Sequence, residues 1–468
     1  MTETIRKSLN DHAWARWSAM LLIALMMLFA HMFVDVISPL KELIQVQRGW
    51  TSDVFGTYAG SEYLLNVWGF LIVAGIILDK MGLRFTGELS AIVMFAGACI
   101  KYYAISDAFI GSGLETWLNS WWVAMPASAK LASLGFMIFG CGCEMAGITA
   151  SKAMAKWFEG KEMALAMGLE MALARVGVFF IFTISPRIAG IGGADPSIVR
   201  PVAFCTALLL IGLMCYTIFC LMDKKLDTQL GATATGEPEE EFKISDIGKI
   251  FSSRLFWIVA MLCVLYYSAI FPFQKFAANM LQSNLGITAT AAADIFRWFP
   301  VGAACITPLL GWYLDRKGKG ATMLILGSLL MIICHTTFAL VLPAVPSKVI
   351  AFSAIIVLGI SFSLVPAALW PSIPKIMDKR YLGSAYSLIF WVQNFGLSGT
   401  PIIIGYALEK SNPGVAEQIA AGVEGATYNY TVPMLLFASL GVLALLFALW
   451  LKADDKRNHY GLEEPNIK

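Results

Sequence analysis

Long apolar segments alternate with short polar turns along nearly the whole chain of 468 residues. Each segment reaches about 20 residues, the length that an α-helix needs to cross a hydrocarbon core of about 30 Å. Helices are expected because the bilayer offers no partners for free backbone polar groups. The pattern predicts an all-α membrane protein with twelve transmembrane helices, near residues 16–38, 57–78, 86–106, 131–153, 163–185, 201–222, 255–280, 293–314, 321–342, 348–371, 382–407 and 431–452.

A polar stretch and an internal repeat divide the chain into two halves. The centre of the stretch is rich in Gly, Thr, Pro and Glu and lacks apolar periodicity. The segment Gly-Ile-Ile-Leu-Asp79-Lys-Met-Gly-Leu-Arg84 closes the second span, and Gly-Trp-Tyr-Leu-Asp315-Arg316-Lys-Gly-Lys closes the eighth. A duplicated six-helix unit explains this repeat. We therefore predict two six-helix bundles with a cytoplasmic linker between them, over residues 1–222, 223–254 and 255–468, the last with a short cytoplasmic tail.

Composition and charge narrow the class of protein. Hydrophobic residues make up 58% and charged residues 14% of the chain, against about 25% charged residues in soluble domains. A soluble multidomain enzyme is therefore excluded, and no metal cluster, phosphate-binding loop or nucleophile constellation indicates an enzyme or a cofactor. The net charge of +2 gives no basic field for nucleic acid. The nine cysteines lie mostly inside apolar segments and are interpreted as packing residues.

The distribution of lysine and arginine predicts the orientation of the chain. Twenty-two of these residues fall at one set of helix ends or in the termini, and seven fall at the other set. By the positive-inside rule, both termini are expected in the cytoplasm. The N-terminal segment is long, charged and without a small-residue cleavage site, so the first apolar segment is predicted to be a retained helix rather than a signal peptide.

Glu144 on the fourth span and Arg175 on the fifth are the leading site residues. The midpoint between them falls in the turn over residues 156–161, so the two side chains are expected at matching depth, roughly 16 to 18 Å from that turn at 1.5 Å per residue. Ionisable residues in mid-membrane are costly unless they are paired or hydrated. The two charges suit a zwitterionic substrate. The structural alternative is a buried ion pair that locks the two helices together.

Further polar and aromatic residues within the spans are candidate site residues. For each of them a purely structural role is about as well supported as a functional one. Asp35 is either a gating or proton-sensitive group or an interfacial carboxylate. Pro272 is expected to open the seventh helix locally, next to Tyr266, Tyr267 and Phe271. These aromatics either bind substrate or pack. The remaining candidates are Asn66, Trp370, Gln393 and Asn394. The charged residues near or inside the spans rank as weaker candidates, namely Glu62, Lys152, Glu170, Lys275, Asp294 and Arg297.

The duplicated G-x-x-x-D-[RK]-x-G-x-[RK] segment, the twelve spans and the central linker resemble the major facilitator superfamily. The resemblance implies the major facilitator fold and a carrier that works by alternating access. It also implies that Asp79 and Arg84, with Asp315 and Arg316 in the second copy, help to close the inner gate when the outer gate is open. Short charged turns that merely fix topology are the alternative.

Residues 141–144, 156–162, 168–170, 174–177, 265–273, 368–371, 383–386 and 393–396 are similar to the lysosomal dipeptide transporter family of that superfamily. The resemblance implies a uniporter without cofactor for dipeptides or similar zwitterions, with Glu144 and Arg175 on the peptide backbone. Tyr266, Tyr267, Trp370, Gln393 and Asn394 match further family positions.

The chain departs from the animal members, which carry uncharged residues where Glu62, Lys152, Glu170 and Lys275 stand, so the expected uniport and selectivity stay open. The expected setting is a bacterial cytoplasmic membrane, whereas the animal members are lysosomal. The alternatives are a proton-coupled symporter or exchanger of small organic anions and a non-transporting receptor. The expected partners are a small-molecule substrate and membrane lipid, with no nucleic acid; a homodimer or an accessory membrane protein stays open.

Overall fold

The computed structural model describes residues 8–159, 161–230, 247–377 and 382–465. Within these ranges the chain is helical and contains no β-strand. The first half of the chain contains α1 (Ala13–Val34), α2 (Lys41–Arg48), α3 (Ser52–Ser61), α4 (Leu64–Val67), α5 (Phe70–Ile105), α6 (Gly113–Asn119), α7 (Ala127–Trp157), α8 (Met163–Ile188) and α9 (Val199–Leu230).

The second half repeats this arrangement of long helices with short connecting ones. It contains α10 (Ile247–Phe251), α11 (Arg254–Leu285), α12 (Ala289–Phe296), α13 (Trp298–Lys317), α14 (Gly320–Thr336), α15 (Leu342–Ala344), α16 (Lys348–Ile376), α17 (Leu382–Ser411), α18 (Val415–Ala420) and α19 (Thr431–Asn458). A turn of π-helix over Thr337–Val341 joins α14 to α15.

Ten of the described helical segments are long and apolar enough to cross a membrane. The other two predicted spans are helical but interrupted. The second is divided among α3, α4 and the first part of α5, and it begins earlier than predicted, at Ser52. The eighth is divided between α12 and α13. The second span breaks where Glu62 lies and where Gly69 adopts a left-handed conformation with φ 94°.

The repeated segments close their spans, as the repeat predicts, and the glycine three residues after each aspartate makes a sharp turn. Gly82 has φ 78° and ψ 175° inside α5, so α5 consists of two helices joined at this residue. Gly318 has φ 69° and ends α13. A side chain is disfavoured at such positive φ values. Both halves therefore reverse direction at the corresponding position.

The boundary of the central linker differs from the prediction. α9 continues to Leu230 instead of ending at residue 222. Asp223 and Asp227 on this extension bind Arg84 and Lys156 of the same half, which stabilises the extra turns. α11 begins at Arg254, the last residue of the predicted linker. The acidic centre of the linker, residues 231–246, lies outside the described residues.

The first and last described residues lie at one end of the bundle, which we call the terminal end. The backbone N–H of Leu9 donates to Gln229 at 2.7 Å, and Arg16 forms an ion pair with Glu162 at 2.9 Å. The C-terminal segment folds back in the second half, where Gly320 donates its N–H to the carbonyl of Leu462 at 2.9 Å. The other end of the bundle is called the opposite end.

One contact at the terminal end, outside the membrane spans, lowers the pKa of a carboxyl group. The Asp11 carboxylate accepts hydrogen bonds from Lys161 Nζ and from the Ser8 hydroxyl and backbone N–H. These bonds lower the pKa of Asp11 from 3.8 to about 2. The contact holds the N-terminal segment against the turn between α7 and α8.

Candidate functional site

Glu144 and Arg175 lie at matching depth, as their spacing predicts. Glu144 is 13 residues before Trp157, where α7 ends, and Arg175 is 12 residues after Met163, where α8 begins. At 1.5 Å per residue these positions are about 20 and 18 Å from the turn. Both side chains are half-buried. Within the described residues neither has an ion-pair partner, so the two helices are not locked by a Glu144–Arg175 pair in this conformation.

The Arg175 guanidinium reaches the second half of the molecule. Its central carbon lies 5.3 Å from the ring centroid of Phe271 on α11 and 5.1 Å from that of Phe362 on α16. Cation–π contacts of this kind hold a guanidinium in place without neutralising it. The guanidinium N–H groups therefore remain available for an anionic group.

Aromatic side chains continue from Arg175 along α11, α16 and α17. Tyr267 stacks on Phe271 with centroids 5.5 Å apart, and its hydroxyl accepts a hydrogen bond from Trp370 Nε1 at 3.3 Å. Trp370 stacks on Phe390 at 4.8 Å. The Tyr386 hydroxyl donates to the Trp370 carbonyl at 3.1 Å. We call Tyr267, Phe271, Phe362, Trp370 and Tyr386 the aromatic cluster.

Tyr266 lies away from this cluster, although the sequence places it among the candidates. Its hydroxyl contacts the Leu324 carbonyl and lies 2.5 Å from Ser328 Oγ, both on α14. The side chain is buried between α11 and α14. Because adjacent helical residues point about 100° apart, only one residue of the Tyr266–Tyr267 pair can line the cluster. In this placement Tyr266 packs within the second half.

The three amide candidates are buried, Asn66 on α4 and both Gln393 and Asn394 on α17. Gln393 Oε1 lies 3.0 Å from the Cys263 thiol, and Asn394 Nδ2 donates to the carbonyl of Phe390 on its own helix. Within the described residues, Asn394 Oδ1 and both amide atoms of Asn66 have no hydrogen-bond partner. A buried amide without partners is costly.

Asp35 lies in a buried group of charges between the halves. Lys275 Nζ on α11 is 3.3 Å from Asp35 Oδ1 and 3.1 Å from Glu62 Oε2, and it donates to the Val34 carbonyl at 3.1 Å. The side chains of Asp35, Glu62 and Lys275 are exposed by 1%, 5% and 6%. Gln274 also donates to Asp35.

A second lysine caps the same end of α1. Lys101 Nζ on α5 lies 3.4 Å from the Phe33 carbonyl and over the rings of Phe33, Tyr58 and Phe136, at 4.1, 5.3 and 4.4 Å from their centroids. Three aromatic faces favour a cation, and cations at a helix C-terminus are stabilised by the helix dipole. We call Asp35, Glu62, Lys101 and Lys275 the inter-half charge cluster.

The predicted gating residues at the terminal end bind partners in their own half. Asp79 accepts a hydrogen bond from Lys152 at 3.0 Å, and Arg84 binds Asp223 and Asp227 at 3.3 and 2.5 Å. The second copy lies at the corresponding turn, where Asp315 and Arg316 close α13 and the Arg316 guanidinium is 5.0 Å from the Trp312 centroid.

Close contact between α3 and α17 joins the halves toward the opposite end. A Cβ placed on Gly56 would lie 2.9 Å from the Cα of Gly405 and still closer to the Pro401 carbonyl. Ser398 Oγ donates to the Gly60 carbonyl at 2.9 Å. Small residues permit this approach of two helix backbones.

Side chains of the second half add hydrogen bonds to this contact. Trp391 Nε1 donates to the Val67 carbonyl at 2.9 Å, and Gln282 Nε2 donates to Glu42 Oε2 at 2.5 Å. Arg187 forms an ion pair with Asp294 at 2.8 Å. The conformation is therefore closed toward the opposite end.

Three site residues were missed or undervalued by the sequence interpretation. Phe362 is one phenylalanine in an apolar span, and nothing in the pattern distinguishes it. Gln274 and Lys101 carried a signal, since each is a polar residue inside a predicted span. In the part of the chain that the structure describes, no three His, Cys, Asp or Glu side chains form a metal-binding group, and the described cysteines are free thiols.

Comparisons with known proteins place these features in context. The sequence model described as Major Facilitator Superfamily matches residues 23–401 and 276–466. The lysosomal dipeptide transporter MFSD1 of Danio rerio is 27% identical over 376 residues, covering 79% of this chain and 75% of that protein. The protein of the same name from Homo sapiens is 28% identical over 294 residues, covering 60% of each.

Solved structures share the fold at low sequence identity. A bacterial homologue of the human lysosomal transporter Spinster, in an inward-facing and occupied conformation, superimposes with a TM-score of 0.69 at 15% identity, covering 94% of this chain and 97% of that one. A D-xylose-proton symporter gives 0.67 at 14% identity, covering 92% and 97%.

Proposed function

The chain belongs to the major facilitator superfamily, and from that premise we propose that it carries dipeptides or similar small zwitterions across a membrane by alternating access. It is an integral multi-pass membrane protein and a secondary transporter rather than an enzyme. Its similarity to lysosomal dipeptide transporters of animals supports a dipeptide substrate.

The proposal rests on Glu144 and Arg175, two opposite charges that lie at one depth and have no ion-pair partner among the described residues. Arg175 would bind the substrate carboxylate through its planar N–H groups, and Glu144 would bind the ammonium group. A dipeptide carries these two charges at its ends. The lack of an ion-pair partner for either residue, among the described residues, leaves both available to a zwitterion.

The aromatic cluster supports a substrate with variable side chains. Tyr267, Phe271 and Trp370 offer apolar faces next to Arg175, and such faces pack against many side groups without requiring one shape. Asn66, Gln393 and Asn394 are the amides proposed to contact the peptide unit after the halves move. Tyr266 is left out of the proposed site because its hydroxyl is bound to α14.

The proposed orientation places the terminal end in the cytoplasm, and the proposed location is a bacterial cytoplasmic membrane. The excess of Lys and Arg at the terminal end supports this orientation. With it, Asp79, Arg84, Asp315 and Arg316 are proposed to form the inner gate when the opposite end opens. Uniport is the coupling expected from the family resemblance, although a uniporter does not require buried carboxylates between its halves.

Counterflow of a labelled dipeptide into proteoliposomes tests the substrate. We expect uptake in the wild type and its loss in Glu144→Gln and in Arg175→Ala. Glu88→Gln is the matched control for Glu144, because Glu88 is a half-buried carboxylate that binds Thr217 on the neighbouring helix. Arg200→Ala, which removes a surface pair with Asp195, is the control for Arg175. Fluorescence size-exclusion profiles check that each variant folds.

The second candidate is a carrier of small organic anions, favoured by the Arg175 guanidinium without a carboxylate partner. In that case Arg175→Ala would abolish uptake of the anion and Glu144→Gln would retain it. A wild type that transports anions but no dipeptide would reject the first candidate. Flux of either kind through the purified protein would reject a non-transporting receptor.

A further inference from the structure

The inter-half charge cluster joins residues that alternating access must separate. Asp35, Glu62 and Lys101 belong to the first half, and Lys275 belongs to α11 of the second half. The Lys275 ammonium lies within ion-pair distance of both carboxylates. When the halves part at the opposite end, Lys275 moves away with α11, while the other three residues stay together on the first half.

We propose that this carrier moves a proton with its substrate and that the Asp35–Glu62 carboxylate pair carries the proton. This inference rests on the proposed transport function and replaces the expected uniport. Its physical basis is competition, because the Lys275 ammonium and a proton neutralise the same two carboxylates. The cluster binds one or the other, according to the conformation.

The charge count fixes the number of protons. With Lys275 in place the cluster contains two carboxylates and two ammonium groups, and its net charge is zero. Without Lys275 the first half keeps two carboxylates and one ammonium, and one proton restores neutrality. Lys101 remains charged in this scheme because it stays within its cage of three aromatic rings and beside the Phe33 carbonyl.

The cycle balances without another reactant. With the opposite end open, a proton from the water on that side binds a carboxylate oxygen of Asp35 or Glu62. When the halves close, the Lys275 ammonium takes its place and the proton leaves toward the terminal end. No covalent bond other than O–H forms or breaks, and the carrier returns to its starting charge after each cycle.

Glu144 is the next carboxylate that accepts this proton on its path toward the terminal end. The backbone of Glu62 packs against Gly140 on α7, which is one helical turn before Glu144. The two carboxylates are close enough to interact electrostatically, and Glu144 is half-buried whereas Glu62 is buried. The other titratable or charged groups that face the cluster are His31 on α1, Tyr58 on α3, Tyr63 between α3 and α4, Cys143 on α7, Arg175 on α8 and Cys205 on α9.

Substrate-driven proton movement is the first test. Proteoliposomes loaded with a pH-sensitive dye receive a dipeptide on the outside, and the internal pH and labelled-dipeptide counterflow are recorded in parallel. We expect the wild type to acidify the interior, and we expect Glu62→Gln and Asp35→Asn to lose acidification while retaining counterflow. Glu42→Gln is the matched control, because Glu42 also binds α11, through Gln282, but lies outside the cluster.

The outcomes separate this inference from the proposed substrate. Counterflow without acidification in the wild type would overturn proton coupling and restore uniport. Acidification that persists in both carboxylate variants would overturn the assignment to Asp35 and Glu62. Failure of every dipeptide in counterflow would reject the proposed function, and the second test does not depend on substrate.

Proton-dependent opening of the opposite end is that second test. Spin labels at Val46 and Val423, which are exposed on the two halves at this end, report the separation by pulsed electron paramagnetic resonance on a cysteine-free background. For one proton, the ratio of open to closed molecules should rise by up to about tenfold for each unit of falling pH. A double Asp35→Asn, Glu62→Gln variant should show no such rise. A wild-type distribution that is independent of pH would overturn the proposal.

Discussion

Replacement of Gly56 by alanine should shift the carrier away from the conformation described above. In the closed arrangement the new Cβ would lie 2.9 Å from the Cα of Gly405 and closer still to the Pro401 carbonyl oxygen. Ordinary contacts begin at 3.4 Å, so α3 and α17 must move apart by roughly 1 Å, with loss of packing along both helices. Once the opposite end is open, the two backbones are separated and the methyl group meets no such obstacle.

The size of the shift follows from the cost of overpacking. An extra methyl group that forces backbone movement costs about 1 to 3 kcal/mol, and this cost falls on the closed state alone. The ratio of open to closed molecules should therefore rise about 5- to 150-fold. Spin labels at Val46 and Val423 measure this ratio directly as the weight of the longer distance.

Gly399→Ala provides the matched control on α17. A Cβ at Gly399 has no atom within 4 Å, so the same substitution on the same helix should leave the distance distribution unchanged. Gly405→Ala should act like Gly56→Ala, because its Cβ would meet the Cα of Gly56 at 2.9 Å. An unchanged distribution in Gly56→Ala, or an equal shift in Gly399→Ala, would refute the reasoning that this contact holds the closed state.

Two further predictions concern the terminal end and the aromatic cluster. Because folding lowers the pKa of Asp11 from 3.8 to about 2, its contact with Lys161 stabilises the docked N-terminal segment above about pH 4 and is lost as the pH falls toward 2. Pepsin cleavage near Leu9 should accelerate over that interval in the wild type, and Asp11→Asn, cleaved readily throughout, should show no transition. Trp370→Phe keeps a ring against Phe390 but loses the hydrogen bond to Tyr267. The dipeptide concentration that gives half-maximal counterflow should therefore rise a few-fold in Trp370→Phe and tenfold or more in Trp370→Ala. Equal effects of the two substitutions would contradict a stacking role for Trp370.

The sequence predicted the helices and the depth of the central charges well. Residue spacing alone placed Glu144 and Arg175 at one level, because the turn between α7 and α8 is short and each helix advances 1.5 Å per residue. The repeated motif likewise predicted where the second and eighth spans close, at the turns of Gly82 and Gly318. Both inferences use local geometry, which neighbouring residues determine.

Contacts across the two halves could not be predicted in this way. The choice between Tyr266 and Tyr267 depends on the rotation of α11, and an apolar helix that is buried or faces lipid on every side carries little amphipathic signal to fix that rotation. Lys275 was recognisable as a charge inside a span, but its partners Asp35 and Glu62 are more than 200 positions away. Nothing in one sequence links residues at that separation.

Three of the hydrogen bonds between the halves use a side chain on one side only. Lys275, Trp391 and Ser398 each use a side chain, whereas their acceptors are the main-chain carbonyls of Val34, Val67 and Gly60. A carbonyl oxygen is present whatever the residue, so substitutions at positions 34 and 67 preserve the acceptor. Sequence drift at positions 34 and 67 should therefore spare these contacts, whereas drift at positions 275 and 391 should break them, so the two sides of these contacts are under different evolutionary constraint.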